Sequence, residues 1–188
     1  PGFIDRFNSY KKLGVGGFGE VWRAIPVDNT QKPVAIKLMH PLFLKPDYLA
    51  SEDRLSLIRR FSREARIQQL LAEAGVPATI PVYTWGDDPD RDYIYMVMDL
   101  LEGRSFERMI CKKPLLSQRT IARYLRDVAA ALDAAHQFEF EDENGQFCKG
   151  VVHRDVKPNN IFIDSRTDSA KLLDFGIAGI VEGGERLT

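Results

Sequence analysis

The character of this chain changes near Gly103, from mostly extended runs to a long helical stripe, and that change limits the folds open to it. Before it, β-branched and aromatic residues come in short extended runs: Tyr10 to Arg23, Pro33 to Met39, Thr79 to Trp85 and Tyr93 to Met98. Turn-forming sequence, Pro26-Val-Asp-Asn-Thr-Gln-Lys and Gly86-Asp-Asp-Pro-Asp, separates the first pair and the last pair. One helical segment lies between the pairs, with Leu57, Phe61, Ala65 and either Gln68 or Gln69 on related faces, and Gly75-Val76-Pro77 ends it. After the change, Ile121, Leu125, Val128, Leu132 and Ala135 step by four and three along one face of a long helix. Phe138-Glu-Phe140 and Phe147-Cys148 flank a turn signal at residues 142–145 and predict a small surface hairpin. Two apolar strands follow, Ile161 to Ile163 and Lys171 to Leu173. The expected class is α+β: a five-stranded antiparallel sheet with one main helix, then a mainly helical part.

Composition removes several functions. Lys plus Arg number 26 against 27 Asp plus Glu, so a net charge of −1 gives no electrostatic basis for nucleic-acid binding. Cys111 and Cys148 have neither zinc-ligand spacing nor a disulfide pattern, and no apolar run is long enough to span a bilayer. The sequence begins at Pro1, and we read it as a piece of a longer gene product.

Four segments carry chemistry. Gly14-Val15-Gly16-Gly17-Phe18-Gly19-Glu-Val21 lies between two strands, where missing side chains let backbone N–H groups approach phosphate oxygens. Such a loop is a weak signal alone, but a dinucleotide site would need it to lead into a helix, and Val21-Trp22-Arg23 reads as strand. Val34-Ala35-Ile36-Lys37 then ends a buried run with one ammonium group suited to two phosphates of ATP; Glu64, mid-helix after Phe61, is its expected carboxylate partner. In Val152-His153-Arg154-Asp155-Val-Lys157-Pro-Asn-Asn160, Asp155 can orient a hydroxyl or accept its proton. Lys157 can neutralise a phosphoryl group in transfer, and Asn160 offers a neutral oxygen to magnesium. Asp174-Phe-Gly176 supplies a second magnesium ligand as a carboxylate. Each segment alone has an ordinary structural explanation. All four in this order leave little to chance.

These residues resemble the eukaryotic-like protein kinase family over nearly the whole chain, and the wording around Asp155 and Asp174 looks most like its bacterial branch. The resemblance implies that Gly14, Val15, Gly16, Gly17, Phe18 and Gly19 cover the phosphates, that Lys37 pairs with Glu64, that Asp155 is the catalytic base, and that Asn160 and Asp174 hold magnesium. It further implies Met98 as gatekeeper, Asp99 to Leu101 as the adenine-bonding hinge, Val21 and Ala35 above the ring and Phe162 below it. Lys157-Pro158 resembles the Ser/Thr kinases rather than the Tyr kinases. The implied layout is a first lobe at 1–98, a hinge at 99–103 and part of a second lobe at 104–188. ATP and magnesium are the implied cofactors and a protein Ser or Thr hydroxyl the acceptor, with the domain cytoplasmic and a homodimer left open.

The chain departs from the family pattern in three places. Lys37 and Glu64 are 27 positions apart, which predicts an extra loop before the helix. Gln68 stands one turn beyond Glu64, where the family buries an apolar residue, and predicts looser packing there. Only twelve residues follow Gly176, so we expect a fragment inactive alone. Two other functions compete: a nucleotide-binding pseudokinase or regulatory scaffold, and a small-molecule phosphotransferase of the kinase-like superfamily.

Overall fold

In the computed structural model, the residues described are 3–16, 19–27, 32–39, 51–88, 93–113, 115–142, 145–175 and 179–180. Most of the expected loop residues, the side chain of Leu57, and Gly17, Phe18 and Gly176 lie outside them. The chain divides into two compact units: Pro1–Arg66 with Pro81–Leu101, and Ile67–Ile80 with Glu102–Thr188.

The first unit is built on an antiparallel sheet of β1 (Phe7–Gly16), β2 (Gly19–Pro26), β3 (Val34–Met39), β4 (Val82–Asp88) and β5 (Tyr93–Asp99), in the order β1-β2-β3-β5-β4. Strand alternation sorts its side chains into two faces. Ala24, Val34, Ile36 and Val97 form a small core on one face. Met39, Val82, Ile94 and Met96 pack on the other against Phe61 and Ala65 of helix α1 (Ser51–Glu73). The five strands and the helix are those expected, except that Thr79, Ile80 and Pro81 are not strand and that Gly86, Asp87 and Asp88, expected in the turn, extend β4. Ala78 takes a left-handed φ of +57 and the Thr79 hydroxyl donates to Val76 O at 2.7 Å. This local turn competes with extension into β4.

The second unit contains the last turns of α1, which end in a left-handed glycine closure. Gly75 has φ +72, its N–H donates to Ala72 O at 3.0 Å, and the Val76 N–H reaches back to Leu71 O at 2.9 Å. Helices α2 (Phe106–Ile110) and α3 (Gln118–Gln137) follow β6 (Gly103–Ser105), and Ser117 caps α3 by accepting from the Thr120 N–H at 3.1 Å. The predicted surface hairpin is β7 (Glu139–Glu141) paired with β8 (Phe147–Lys149). Short β9 (Val151–Val152) pairs with β12 (Gly179–Ile180), while β10 (Ile161–Asp164) lies between β6 and β11 (Ser169–Leu172). One core gathers Leu71, Phe106, Val128, Val151, Leu172 and Phe175.

The buried stripe of α3 differs from expectation by one position. Tyr124, Val128, Ala131 and Ala135 are buried, whereas Leu125 is 46% exposed. Tyr124 displaces it because its ring meets Phe106 edge-on and its hydroxyl donates to Asp168 at 2.6 Å, so one residue satisfies both packing and a polar bond.

Candidate active site

Cross-strand register places the first group of predicted residues. Val21 pairs with Lys37 and Lys37 with Met96; in the next row Arg23 pairs with Ala35 and Ala35 with Met98. Directly paired residues point to one face, so Val21, Ala35, Lys37 and Met98 share the face on which α1 packs. There Lys37 Nζ meets Glu64 Oε1 at 2.6 Å, with both side chains about nine-tenths buried. Lys37, expected at the end of its strand, is followed in β3 by Leu38 and Met39, and across 27 positions its ammonium meets the expected carboxylate. Charges this far from water persist only when paired. At the end of β5, the Asp99 N–H donates to Pro81 O at 2.9 Å.

Gly14 and Gly19 turn out to have different physical roles. An added Cβ on Gly19 would stand 2.0 Å from Leu38 O, because β2 and β3 approach closely there; one on Gly14 would meet nothing within 4 Å. We expect Gly19→Ala to destabilise the chain by about 1–3 kcal/mol through overpacking. Gly14→Ala should stay within about 0.5 kcal/mol of the parent. Urea unfolding of both variants checks this, and equal losses would contradict it. A feature that sequence reasoning missed lies beside this loop: Glu20 accepts from Lys12 Nζ at 2.7 Å and from Trp22 Nε1 at 3.1 Å, tying β1 to β2. The cross-strand pairing of Lys12 with Trp22 was the only signal for it, and it required the register.

The second group lies within the second unit. Asp155 Oδ2 accepts from Lys157 Nζ at 2.7 Å and from Asn160 Nδ2 at 2.8 Å. The bond from Lys157, then that from Asn160, holds the Asp155 carboxyl below its usual range, so it stays ionised. Asn160 also donates to Asp155 O at 2.9 Å and is only 7% exposed. With its nitrogen committed in this way, the Asn160 amide has its Oδ1 to offer to a ligand. The Asn160 carbonyl accepts from the Leu173 N–H at 2.8 Å, which binds the segment carrying Asp155 to the residue just before Asp174. Asp174 is exposed and adopts φ +56, a left-handed conformation that Asp tolerates better than most residues. Phe162 is half-buried on β10, alternating with the core residues Ile161 and Ile163.

His153, quoted in the motif but given no role from sequence, proves central. It is 1% exposed, its ring centre lies 4.8 Å from that of the fully buried Phe175, and Nε2 meets Leu173 O at 2.8 Å. Nδ1 accepts the Asp155 N–H at 3.3 Å, so the proton sits on Nε2 and is donated to Leu173 O. Burial pushes the imidazole below its ordinary pKa of 6.5. A depressed folded pKa means that the unfolded chain takes up the proton first. His153 thus contributes stability above pH about 6.5 that is lost on acidification, with a slope of at most about 1.4 kcal/mol per pH unit. Urea unfolding between pH 8 and 5 should show this slope in the parent and lose it in His153→Gln; equal slopes would contradict the assignment.

Gln68 corrects an expectation. The sequence suggested loose packing there, yet Gln68 is 3% exposed and its Nε2 donates to Ile80 O at 3.3 Å. A satisfied amide can be buried at little net cost.

Among the described residues no group of three or more His, Cys, Asp or Glu side chains is gathered to hold a metal, and no helix is long and apolar enough to cross a membrane. The expected pair, Asn160 and Asp174, supplies one amide and one carboxylate oxygen. That hard donor set suits a divalent ion that takes its remaining oxygens from phosphate and water.

Comparison with known proteins shows the family. Residues 7–188 match the family described as Protein kinase domain. The chain is 35% identical over 179 residues to serine/threonine-protein kinase pkn2 of Myxococcus xanthus, covering 94% of this chain and 18% of that protein. It is 37% identical to serine/threonine-protein kinase PknH of Mycobacterium tuberculosis, over 94% of this chain and 24% of that protein. Its identity to human serine/threonine-protein kinase 32C is 31%, over 98% of this chain and 33% of the relative. The chain thus spans about a third or less of the length of these relatives. With the matched domain covering nearly all of the sequence, the chain belongs to the protein kinase domain family.

Proposed function

We propose that this chain carries the nucleotide-holding and phosphoryl-transferring residues of a protein Ser/Thr kinase that uses Mg-ATP. The observation that supports this most is Asp155, held ionised between Lys157 and Asn160, with Asn160 tied through its carbonyl to the segment that presents Asp174. In this reading residues 1–98 cover the nucleotide, 99–103 form the hinge and 104–188 carry the transfer groups. Lys37, fixed by Glu64, holds phosphate oxygens. Gly14, Gly16 and Gly19 cover them, together with Val15, Gly17 and Phe18. By the family resemblance Val21, Ala35, Met98 and Phe162 are each adenine-contacting residues, and backbone groups of Asp99 and Leu101 other than the committed Asp99 N–H bond its edge. Asn160 and Asp174 would hold magnesium, which when bound supplies positive charge to the phosphate oxygens. Asp155 orients the acceptor hydroxyl and takes its proton late, as a carboxylate of low basicity should, while Lys157 faces the charge that develops on the phosphoryl group. The domain acts in the cytoplasm, where ATP is supplied.

Transfer from γ-labelled ATP by the complete gene product tests the reading. Label on Ser or Thr of a generic protein acceptor, lost when divalent ions are removed, is expected. Label passing only to a small metabolite, or nucleotide binding with no transfer at all, would overturn it.

A further inference from the structure

Three successive carbonyls in the turn after α1 each accept a hydrogen bond, two from neighbouring residues of β11 and one from α1. Ala78 O takes the Leu172 N–H at 2.8 Å, Thr79 O takes Lys171 Nζ at 3.2 Å, and Ile80 O takes Gln68 Nε2 at 3.3 Å. The turn is itself fixed by the left-handed φ of Ala78 and by the Thr79 hydroxyl on Val76 O. Gln68 and Thr79 are 3% and 5% exposed, so water does not readily replace these bonds. Immediately downstream, the Leu173 N–H is held by Asn160 O and the Leu173 carbonyl by His153, each at 2.8 Å. The backbone leading into Asp174 is therefore tied at three polar groups, the Leu172 N–H and both backbone groups of Leu173. Of those ties, the one at Leu172 runs through the 78–80 turn.

We propose that Gln68 and Lys171 are positioning residues: by holding the carbonyls of Ile80 and Thr79 they fix the turn that grips Leu172, and so set how Asp174 presents its carboxylate to a nucleotide-bound divalent ion. The proposal rests on the role given to Asp174 above. Lys171 suits the task because a cationic donor makes a stronger bond to a carbonyl than a neutral one does. Gln68 suits it because an apolar residue of its size would fill the same space and leave Ile80 O without this donor. Asp174 occupies a narrow left-handed well, so a small displacement of residues 172–173 redirects its side chain.

The test compares Lys171→Met, Lys171→Arg and Gln68→Leu with the parent in the complete gene product. Amide hydrogen exchange at Leu172 and Leu173 is measured without nucleotide, and manganese binding to the complex with a non-hydrolysable ATP analogue is measured by calorimetry. In Lys171→Met and Gln68→Leu, exchange at these amides should accelerate about ten-fold. Manganese binding should weaken about ten-fold in the same variants, the low end for groups that support a metal ligand, while Lys171→Arg stays close to the parent in both. Unchanged exchange would overturn the proposal. Faster exchange with unchanged manganese binding would overturn it too, since the turn would then be only structural. If Lys171→Met does not fold, Gln68→Leu carries the same comparison. A parent that binds no manganese–nucleotide complex would overturn the kinase reading itself, and the parent titration alone reveals that case.

Discussion

Replacing Asp155 by Asn is expected to lower phosphoryl transfer by about 10²–10⁴-fold, the range for losing a positioned acid–base group, while nucleotide affinity changes only a few-fold. The substitution is nearly isosteric, and the amide can keep its one oxygen where Oδ2 accepts from Lys157 Nζ and Asn160 Nδ2. Its NH2 group then replaces the other carboxylate oxygen, and the negative charge is gone. The acceptor hydroxyl then loses both its orienting charge and its proton acceptor. Lys37 and Glu64 lie in the other compact unit and pair independently of this change, so the phosphate grip they provide should survive. Single-turnover transfer and equilibrium nucleotide binding, measured on the same preparation, separate the two effects. Retention of most turnover would remove Asp155 from the mechanism.

Asp174→Asn should produce the complementary loss, weaker metal-dependent nucleotide binding with the fold intact. Asn shares the tolerance of Asp for left-handed φ, so the +56 conformation is not disturbed and the experiment isolates the charge. Changing a group that only supports a metal ligand typically costs about 10–100-fold in affinity. Losing the formal charge of a ligand itself should cost at least that much. Titrating ATP with and without magnesium gives the answer: a mutant whose affinity responds to magnesium as the parent's does would exclude Asp174 as a ligand. Together the two substitutions distinguish a residue that handles the acceptor from one that handles the nucleotide.

The candidate chemical groups could be picked out wherever one local segment carried them. The Gly14–Gly19 glycines, Lys37 and the run from His153 to Asn160 stand out as candidates because phosphate and metal chemistry would demand particular residue types a few positions apart. The five strands and the long helix were legible for a similar reason, since side-chain period follows directly from backbone geometry. Even the pairing of Lys37 with Glu64 could be read, because a buried ammonium needs a carboxylate and few stood on the following helix.

Other features depended on which residues tertiary packing brings together. The buried stripe of α3 turned to Tyr124 rather than Leu125 because the partners of Tyr124, Phe106 and Asp168, come from other elements. His153 looked like a spectator until Leu173 and Phe175 were placed against it. Gln68 looked like a packing defect until Ile80 O was placed within reach of its amide. Gly19 looked like a phosphate glycine until the Leu38 carbonyl set a second requirement on it. Sequence alone determined which chemical groups this chain possesses and which elements carry them, because propensity, period and motif spacing are local properties. The tertiary structure alone decided which buried polar groups find partners and so which residues hold the chemical groups in place, because a hydrogen bond between distant segments exists only once packing has closed the distance.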